Sequence, residues 1–347
     1  MTAMTVRHAV LVRTLLILIA ITAAFNFGVS SSRATSGSSD KNADNQKKDR
    51  SSKKDAPDEK GQPVLWRQPE NIESLDLFYG PGGAEKAPDL SAKFTYERRD
   101  TNGTQKKIIV KDDKGGEWTV KYGPEARPET AATRIVWAMG YHADEDYFVK
   151  TVQIEGVRDP AIDVRFKRRH DGYKDVGRWS WESNPFIGTR ELAGLKVLML
   201  VLNNWDLKTS NNKILKPSKK EGGDSNERIY YVGDLGATFG KTGSLARELH
   251  VPNDPPAGSK DRPDQYARQT FVSGSSDGFV KFHYKGKDQS TVKGISADNA
   301  RWMGNMLAQL SDKQLSDAFR AAGYDDSEIS TLISAMRQRI AELQNIR

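Results

Sequence analysis

Residues 204–211 have the sequence Asn-Trp-Asp-Leu-Lys-Thr-Ser-Asn, and residues 234–236 have the sequence Asp-Leu-Gly. In the first segment, Asp206 is followed by Lys208 and then by Asn211. The largely apolar run just before this segment predicts a buried helix. A β-branched and aromatic run just before the second segment predicts a strand. This order of a buried helix, a polar loop, a short hairpin and a further Asp decides the fold that we expect.

These residue types fit the chemistry of phosphoryl transfer, which needs a bound nucleotide, metal ions that bridge its phosphates and a carboxylate that orients the attacking hydroxyl. Asp206 would accept or orient the proton of that hydroxyl, and Lys208 would neutralise charge on the transferred phosphoryl group. Asn211 and Asp234 would hold Mg²⁺ (or Mn²⁺) through oxygen atoms, with ATP as the co-substrate. The alternative is that these Asp and Asn residues only form turns between helix and strand.

A lysine in an apolar strand provides a candidate for nucleotide binding. Lys121 lies between Val120 and Tyr122, where a buried or half-buried ammonium needs a partner. Glu129, at the start of the next predicted helix, could pair with it and fix its position on the α- and β-phosphates; Glu125 is a second candidate partner. In the alternative interpretation, Lys121 extends to solvent and Glu129 only favours the positive N-terminus of the helix.

The first half of the chain has a β pattern with one helix. An Asn102-Gly103 turn between two β-rich runs predicts a hairpin. Pro128 fits the beginning of a helix, and Gly140 fits its end. Strands are predicted at residues 94–97, 108–110, 118–122, 147–149 and 151–154. Residues 63–155 are therefore predicted to form a mostly β lobe that carries one substantial helix.

The second half is predicted to form a larger, mostly helical lobe over residues 156–347. Two short strands are expected at residues 213–216 and 229–233, separated by a Lys- and Gly-rich solvated loop. Helices are predicted at residues 191–203, 296–310, 311–322 and 327–346. Ser296 and Ser311 are expected to cap the second and third of these helices.

The N-terminus has the pattern of an export signal. Arg7 and Arg13 precede a short apolar run, and the sequence Ser-Arg-Ala at residues 32–34 fits a cleavage site. Residues 1–34 are therefore predicted to be a signal peptide, or an N-terminal membrane anchor if they are not cleaved. Residues 35–62 contain no Val, Ile, Leu, Met or aromatic residue and are predicted to be a disordered linker.

The chain resembles the protein-kinase-like superfamily, including its atypical, secreted and phosphatidylinositol-kinase-like branches of bacterial type. Residues 206–211 are similar to the Asp-Leu-Lys-x-x-Asn motif, residues 234–236 to Asp-Phe-Gly, Val120-Lys121 to the third-strand lysine motif, and residues 129–140 to the helix that carries its ion-pair partner. The resemblance implies a two-lobed α+β fold with a small β-rich N-lobe, a larger helical C-lobe, and nucleotide and magnesium between them.

The chain also departs from the pattern of this superfamily. Asn204-Trp205 replaces the usual His-Arg, so the docking charge for an activation-loop phosphate is missing, and Leu235 replaces Phe. No clear Gly-x-Gly-x-x-Gly loop is present. The glycines at residues 80–83 lie far from Lys121, and residues 102–104 are interpreted as a hairpin turn.

The amino-acid composition excludes several classes of function. The 347 residues include 53 basic and 46 acidic residues and no cysteine. The absence of cysteine excludes disulfides, thiol catalysis, cysteine-ligated zinc and a lipoprotein anchor. Residues 1–34 contribute three arginines and no acid, so the remaining basic excess is too small to indicate nucleic-acid binding. Gly-x-Ser-x-Gly and His-Glu-x-x-His motifs are also absent, so the sequence gives no support for a hydrolase function.

These patterns predict an exported, periplasmic or secreted phosphotransferase that moves the γ-phosphate of ATP to a hydroxyl of an unknown protein, lipid or small-molecule acceptor. A membrane contact is expected only if the N-terminal segment is uncleaved. One alternative is an inactive pseudokinase that acts as a binding or scaffold module, and another is nucleotidyl transfer from the same site. A third is an envelope-associated structural protein whose motif matches are coincidental.

Overall fold

The computed structural model describes residues 61–103, 105–169, 172–218, 226–252 and 255–347. The predicted signal or anchor, and all but the last two residues of the predicted linker, lie outside these ranges. The strands are β1 (Gln62–Val64), β2 (Phe94–Asp100), β3 (Lys107–Asp112), β4 (Glu117–Lys121), β5 (Asp146–Val152), β6 (Ile154–Glu155), β7 (Ala161–Arg168), β8 (Tyr173–Arg178), β9 (Asn212–Pro217), β10 (Glu227–Val232), β11 (Val272–Ser276) and β12 (Phe279–Phe282). The helices are α1 (Ala126–Ala138), α2 (Arg190–Val201), α3 (Leu245–Glu248), α4 (Pro263–Arg268), α5 (Ala297–Ala308), α6 (Asp312–Ala321) and α7 (Asp326–Gln344).

Six strands form the first sheet, in the order β5-β7-β4-β3-β2-β6. Neighbouring strands are antiparallel except for β2 and β6, which are parallel. Alternate side chains of these strands point into a core in which the rings of Phe94 and Phe166 lie 5.1 Å apart, edge to face. The Asn102-Gly103 turn joins β2 to β3 as predicted, and Gly103 has a φ of 75° that favours glycine. We call this sheet and helix α1 the N-lobe.

The N-lobe extends beyond residue 155, where the sequence analysis ended it. Strand β7 inserts between β4 and β5 and places Arg165 opposite Lys121 in the register. No strand was predicted there because residues 161–168 carry charged side chains on both faces. Strand β8 also was not predicted, since most of its residues are polar.

Helix α1 is buried on almost every side. One face packs on β5 and β7, and another contacts α6. The helix begins two residues earlier than predicted, so Pro128 lies in the first turn, where its missing N–H costs no hydrogen bond. The buried guanidinium of Arg134 donates to the backbone oxygens of Phe78 and Asp146, and these bonds tie the helix to the surrounding loops.

The remaining elements form the C-lobe, which contains a four-stranded sheet in the order β1-β10-β9-β8 and helices α2 to α7. Gln62, the last residue of the predicted linker, is the first residue of β1. The side chains of Ser296 and Ser311 cap α5 and α6 as predicted. Helix α7 is instead capped by Asp325, which forms a capping box with Glu328.

A buried arginine completes the C-terminus of the central helix α2. The guanidinium of Arg339, from α7, donates to the backbone oxygen of Val201 and to Oδ1 of Asn203, each at 2.9 Å. Carbonyl groups in the last turn of a helix lack partners within the helix, and Arg339 supplies one. Asn203 has a φ of 53°, so the chain turns sharply into the loop that begins with Asn204.

The expected α+β class is confirmed, as is the division into a small β-rich lobe and a larger lobe that contains most of the helices. The N-lobe sheet has its own apolar core, whereas the apolar residues of α1 belong to the larger core of the C-lobe. Helix α1 therefore connects the two cores. Among the described residues, no helix is long and apolar enough to span a membrane.

Candidate active site

A cavity of about 660 Å³ lies between the six-stranded and the four-stranded sheets. Four of the residues predicted from the sequence to bind nucleotide or metal line this cavity: Lys121, Glu129, Asn211 and Asp234. They come from β4, from α1, from the loop after α2 and from the loop after β10. Segments far apart in the chain are therefore brought to one cleft.

Lys121 is the last residue of β4, and its ammonium is surrounded by carboxylates. Its Nζ lies 2.9 Å from Oε2 of Glu129, 2.5 Å from Oε2 of Glu125 and 3.6 Å from Oδ1 of Asp234. Burial lowers the pKa of Lys121, but the carboxylates of Glu129 and Asp234 outweigh it and raise that pKa above its ordinary value. The side chain is thus a fixed positive charge inside the cleft and does not extend to solvent.

Glu129 is buried and holds two cations. Besides Lys121, it contacts Nη1 of Arg165 at 2.7 Å, and Arg165 also lies 3.3 Å from the buried carboxylate of Asp146. Burial raises the pKa of Glu129 against the opposing charges of Arg165 and Lys121. These ion pairs form a series of alternating charges from Asp146 through Arg165 and Glu129 to Lys121. The series holds the ammonium of Lys121 in place from the side of the protein interior.

Glu125 supplies a further carboxylate and a connection between the lobes. It pairs with Lys121 of the N-lobe and with Lys260 of the C-lobe. Burial opposes ionisation of Glu125, but the charges of Lys121 and Lys260 hold its pKa at about 2. A Cβ atom on Gly236 would lie 2.7 Å from Cβ of Glu125, so this glycine lets the segment after Asp234 pack directly on Glu125.

With every carboxylate ionised, the ion pairs around Lys121 have an excess of one negative charge. Four carboxylates are in ion-pair contact with three cations: Glu125, Glu129, Asp146 and Asp234 with Lys121, Arg165 and Lys260. A divalent cation would offset this excess. Lys121 itself fills the space among Glu125, Glu129 and Asp234, whose ligand atoms lie within 4.8 Å of one another. The space among the three carboxylates is therefore taken by Lys121, and Asp234 is the one of the three whose carboxylate is substantially exposed.

Asn211 also lines the cavity, and a hydrogen bond orients its side-chain amide. Its Nδ2 donates to the backbone oxygen of Asp206 at 2.8 Å. Within the described residues, Oδ1 of Asn211 accepts no hydrogen bond, so it remains available as a hard oxygen ligand. The carboxylate of Asp234 is 43% exposed and lines the same cavity. Both side chains offer oxygen atoms, the type of ligand that magnesium and manganese prefer.

Asp206 lies in the loop between α2 and the 3₁₀ turn Thr209–Asn211. Each of its carboxylate oxygens faces a lysine: Oδ2 is 3.1 Å from Nζ of Lys208, and Oδ1 is 3.3 Å from Nζ of Lys287. The backbone N–H of Asp206 donates to Oδ1 of Asn204 at 3.1 Å. Asp206 and Lys208 are not among the residues that line the cavity, and Asn211 connects them to it.

Sequence reasoning missed three cations of this site. Arg165 lies on a strand that the polarity pattern did not reveal, although an arginine in a strand next to Phe166 is a weak signal for a buried ion pair. Lys260 and Lys287 lie in loops far from the motifs, and nothing in the local sequence marks them. The backbone N–H of Lys287 donates to the oxygen of Trp205 at 2.8 Å, which holds the lysine beside Asp206.

No protein-family model matches the chain, and neither does any curated protein. Among solved structures, the crystal structure of a Helicobacter pylori proinflammatory kinase, CtkA, is similar to this chain with a TM-score of 0.40 and 12% sequence identity. That match covers 73% of this chain and 95% of that chain.

Proposed function

We propose that this protein is a kinase-like phosphotransferase that moves the γ-phosphate of ATP to a hydroxyl group. The observation that carries the proposal is the position of Lys121, which contacts both Glu129 and Asp234. A buried lysine held by a helix carboxylate, beside an exposed carboxylate in a cleft, is the arrangement that orients a nucleotide phosphate next to a metal ion. The three side chains come from three separate segments of the chain.

The residues of the site would have different roles in binding the nucleotide and the metal ion. Lys121 binds the α- and β-phosphates, and Glu129 keeps its ammonium in place. Asp234 and Oδ1 of Asn211 would hold Mg²⁺ or Mn²⁺, which when bound neutralises charge on the phosphates. The hydrogen bond from Nδ2 of Asn211 to Asp206 then fixes the distance between the metal side and the acceptor side of the cleft.

Asp206 orients the acceptor hydroxyl and accepts its proton as the new phosphate ester forms. Lys208 lies 3.1 Å from Asp206 and is 41% exposed, so it can turn from the carboxylate to the transferred phosphoryl group. Lys287, whose side chain is 12% exposed, stays with the carboxylate. This pairing keeps Asp206 oriented when Lys208 moves.

The N-terminal sequence supports a location outside the cytoplasm, either periplasmic or secreted, with a membrane attachment if residues 1–34 are retained. The acceptor would then be a hydroxyl of a protein, lipid or small molecule in that compartment, and nucleic acid is not expected as a partner.

The test is incorporation of label from ATP. We expect the full chain with Mg²⁺ to transfer label from γ-labelled ATP, to itself or to an added acceptor, and not from α-labelled ATP. Transfer from α-labelled ATP would instead show nucleotidyl transfer. Binding of ATP without transfer of either label would indicate a pseudokinase, and an absence of Mg²⁺-dependent binding would contradict the proposal altogether.

A further inference from the structure

A second cluster of charged side chains lies in the same cavity, outside the predicted site. Lys167 follows Arg165 by two residues on β7, so it points to the same face about 7 Å farther along the strand. Lys213 lies on β9 and pairs in the register with Arg178 of β8. Lys167, Arg178 and Lys213 all line the cavity between the sheets.

The carboxylates near these cations are already occupied. Asp144 is buried; one of its oxygens pairs with Lys167, and the other accepts the hydroxyl of Tyr231 at 3.4 Å. Asp175 pairs with Nη1 of Arg178 at 2.6 Å. Within the part of the chain that the structure describes, the ammonium of Lys213 has no ion pair and no hydrogen bond. Three cations therefore face two carboxylates, and Lys213 carries the unbalanced charge.

Lys213 is half-buried, and its electrostatic surroundings are unfavourable in the absence of an anion. Burial lowers the pKa of Lys213, and the nearby charge of Lys167 lowers it further. An ammonium that is withdrawn from water without a partner costs free energy, which a bound anion would recover. The excess of positive charge here contrasts with the excess of negative charge around Lys121 in the same cleft.

We propose that Lys213, with Lys167 and Arg178, forms a binding site for a phosphate group that does not require a metal ion. The site is open to the cavity, and its cations come from two sheets that face each other. Lysine and arginine side chains bind phosphate oxygens through charge-assisted hydrogen bonds. The phosphate belongs either to the nucleotide in the cleft or to a separate anionic ligand that binds beside it.

Inorganic pyrophosphate is the probe for this site. The full chain is titrated with pyrophosphate in EDTA, and the melting temperature is followed. We expect pyrophosphate to stabilise the parent, and we expect Lys213→Met to bind it at least about tenfold more weakly because charge-assisted hydrogen bonds are lost. Lys213→Arg should retain binding because it keeps the charge. Lys174→Met, which removes an exposed lysine from β8, should bind like the parent.

Binding of ATP with Mg²⁺ to the same variants identifies the source of the phosphate. If Lys213→Met weakens ATP binding as much as it weakens pyrophosphate binding, the site takes a phosphate of the nucleotide. If ATP binding is unchanged, the site takes a separate anion. Asp234→Ala should still bind pyrophosphate in EDTA, so this test is independent of the proposed activity. The inference is overturned if pyrophosphate does not stabilise the parent or if Lys213→Met binds it equally well.

Discussion

The ammonium of Lys121 and the carboxylate of Glu129, eight residues apart in the chain, lie 2.9 Å from each other inside the cleft. Helix α1 begins only five residues after Lys121, so the short loop between them brings the first turn of the helix against the end of β4. Arg165 contacts the other oxygen of Glu129 and closes the pair from the side of the sheet. The position of the lysine is therefore fixed by a helix and two adjacent strands.

Arg165→Met should destabilise the protein strongly. The change leaves the carboxylate of Asp146 buried with no ion-pair partner among the described residues and removes one of the two cations on Glu129. Breaking a buried ion pair from one side costs about 3–5 kcal/mol of unfolding free energy. Urea denaturation measures this cost. Arg98→Met, on the exposed face of β2, is the control and should change stability by less than about 1 kcal/mol; equal effects of the two variants would contradict the structural role of Arg165.

Because of the ion pairs of Glu125, we expect the protein to lose stability in acid. Its pKa is 4.5 in the unfolded chain and about 2 in the folded protein, where burial is outweighed by Lys121 and Lys260. As the pH falls from 4.5 towards 2, the unfolded state takes up a proton that the folded state does not, so the free energy of unfolding decreases. The ionised carboxylate of Glu125 makes its full contribution to the free energy of unfolding above pH 4.5, and this contribution amounts to about 3 kcal/mol.

Glu125→Gln should remove this part of the pH dependence. Urea denaturation at about pH 5.5 and about pH 3 should give a smaller difference for the variant than for the parent, because the amide does not titrate in this range. An unchanged difference would show that Glu125 does not hold the two lysines in solution.

Asp206→Asn should stop transfer without preventing nucleotide binding. The amide keeps the shape of the side chain but cannot accept the proton of the acceptor hydroxyl, so we expect transfer from γ-labelled ATP to fall by about 10²- to 10⁴-fold. The dissociation constant for ATP with Mg²⁺ should remain close to that of the parent. Asp264→Asn, a surface position that pairs with Arg268, is the matched control and should transfer normally. Normal transfer by Asp206→Asn would refute its role.

Arg127 holds helix α1 to the C-lobe. Its guanidinium stacks on the ring of Tyr324 with a 3.9 Å separation and pairs with Glu328 at the beginning of α7. Arg127→Met should lower the unfolding free energy by about 1–3 kcal/mol, since it leaves the partly buried carboxylate of Glu328 without its ion-pair partner. Arg320→Met, which removes two surface ion pairs, should cost less than about 1 kcal/mol. If differential scanning calorimetry finds the same melting temperature for both variants, this attachment is unimportant.

The elements with regular periodicity could be predicted from the sequence. The Asn102-Gly103 hairpin, helix α2 and the Ser caps of α5 and α6 depend on local patterns, and the structure contains all of them. Strand β7 could not be predicted, because Arg165 and Lys167 interrupt the apolar pattern and are withdrawn from water only where distant carboxylates meet them. Strand β8 could not be predicted, because most of its residues are polar.

The residues of the candidate site also divide into those that could be predicted from the sequence and those that could not. Lys121, Asp206 and Asp234 stand out because motifs of the kinase type place them at fixed positions between regular elements. Lys260 and Lys287 do not stand out, since their contacts with Glu125 and Asp206 depend on how loops of the C-lobe fold back on the cleft. A charge in a loop has no periodic pattern that reveals its partner.

The most direct test of the account is Mg²⁺-dependent binding of ATP to the parent and to Asp234→Ala, measured by titration calorimetry and by the melting temperature. The parent should bind ATP with Mg²⁺ and, at a ligand concentration about 100 times the dissociation constant, gain about 2.7 kcal/mol of stability. Asp234→Ala should fold with nearly unchanged stability, because its carboxylate is 43% exposed, and should lose this binding. A parent that binds no ATP, or a variant that binds it as the parent does, would contradict the proposed site.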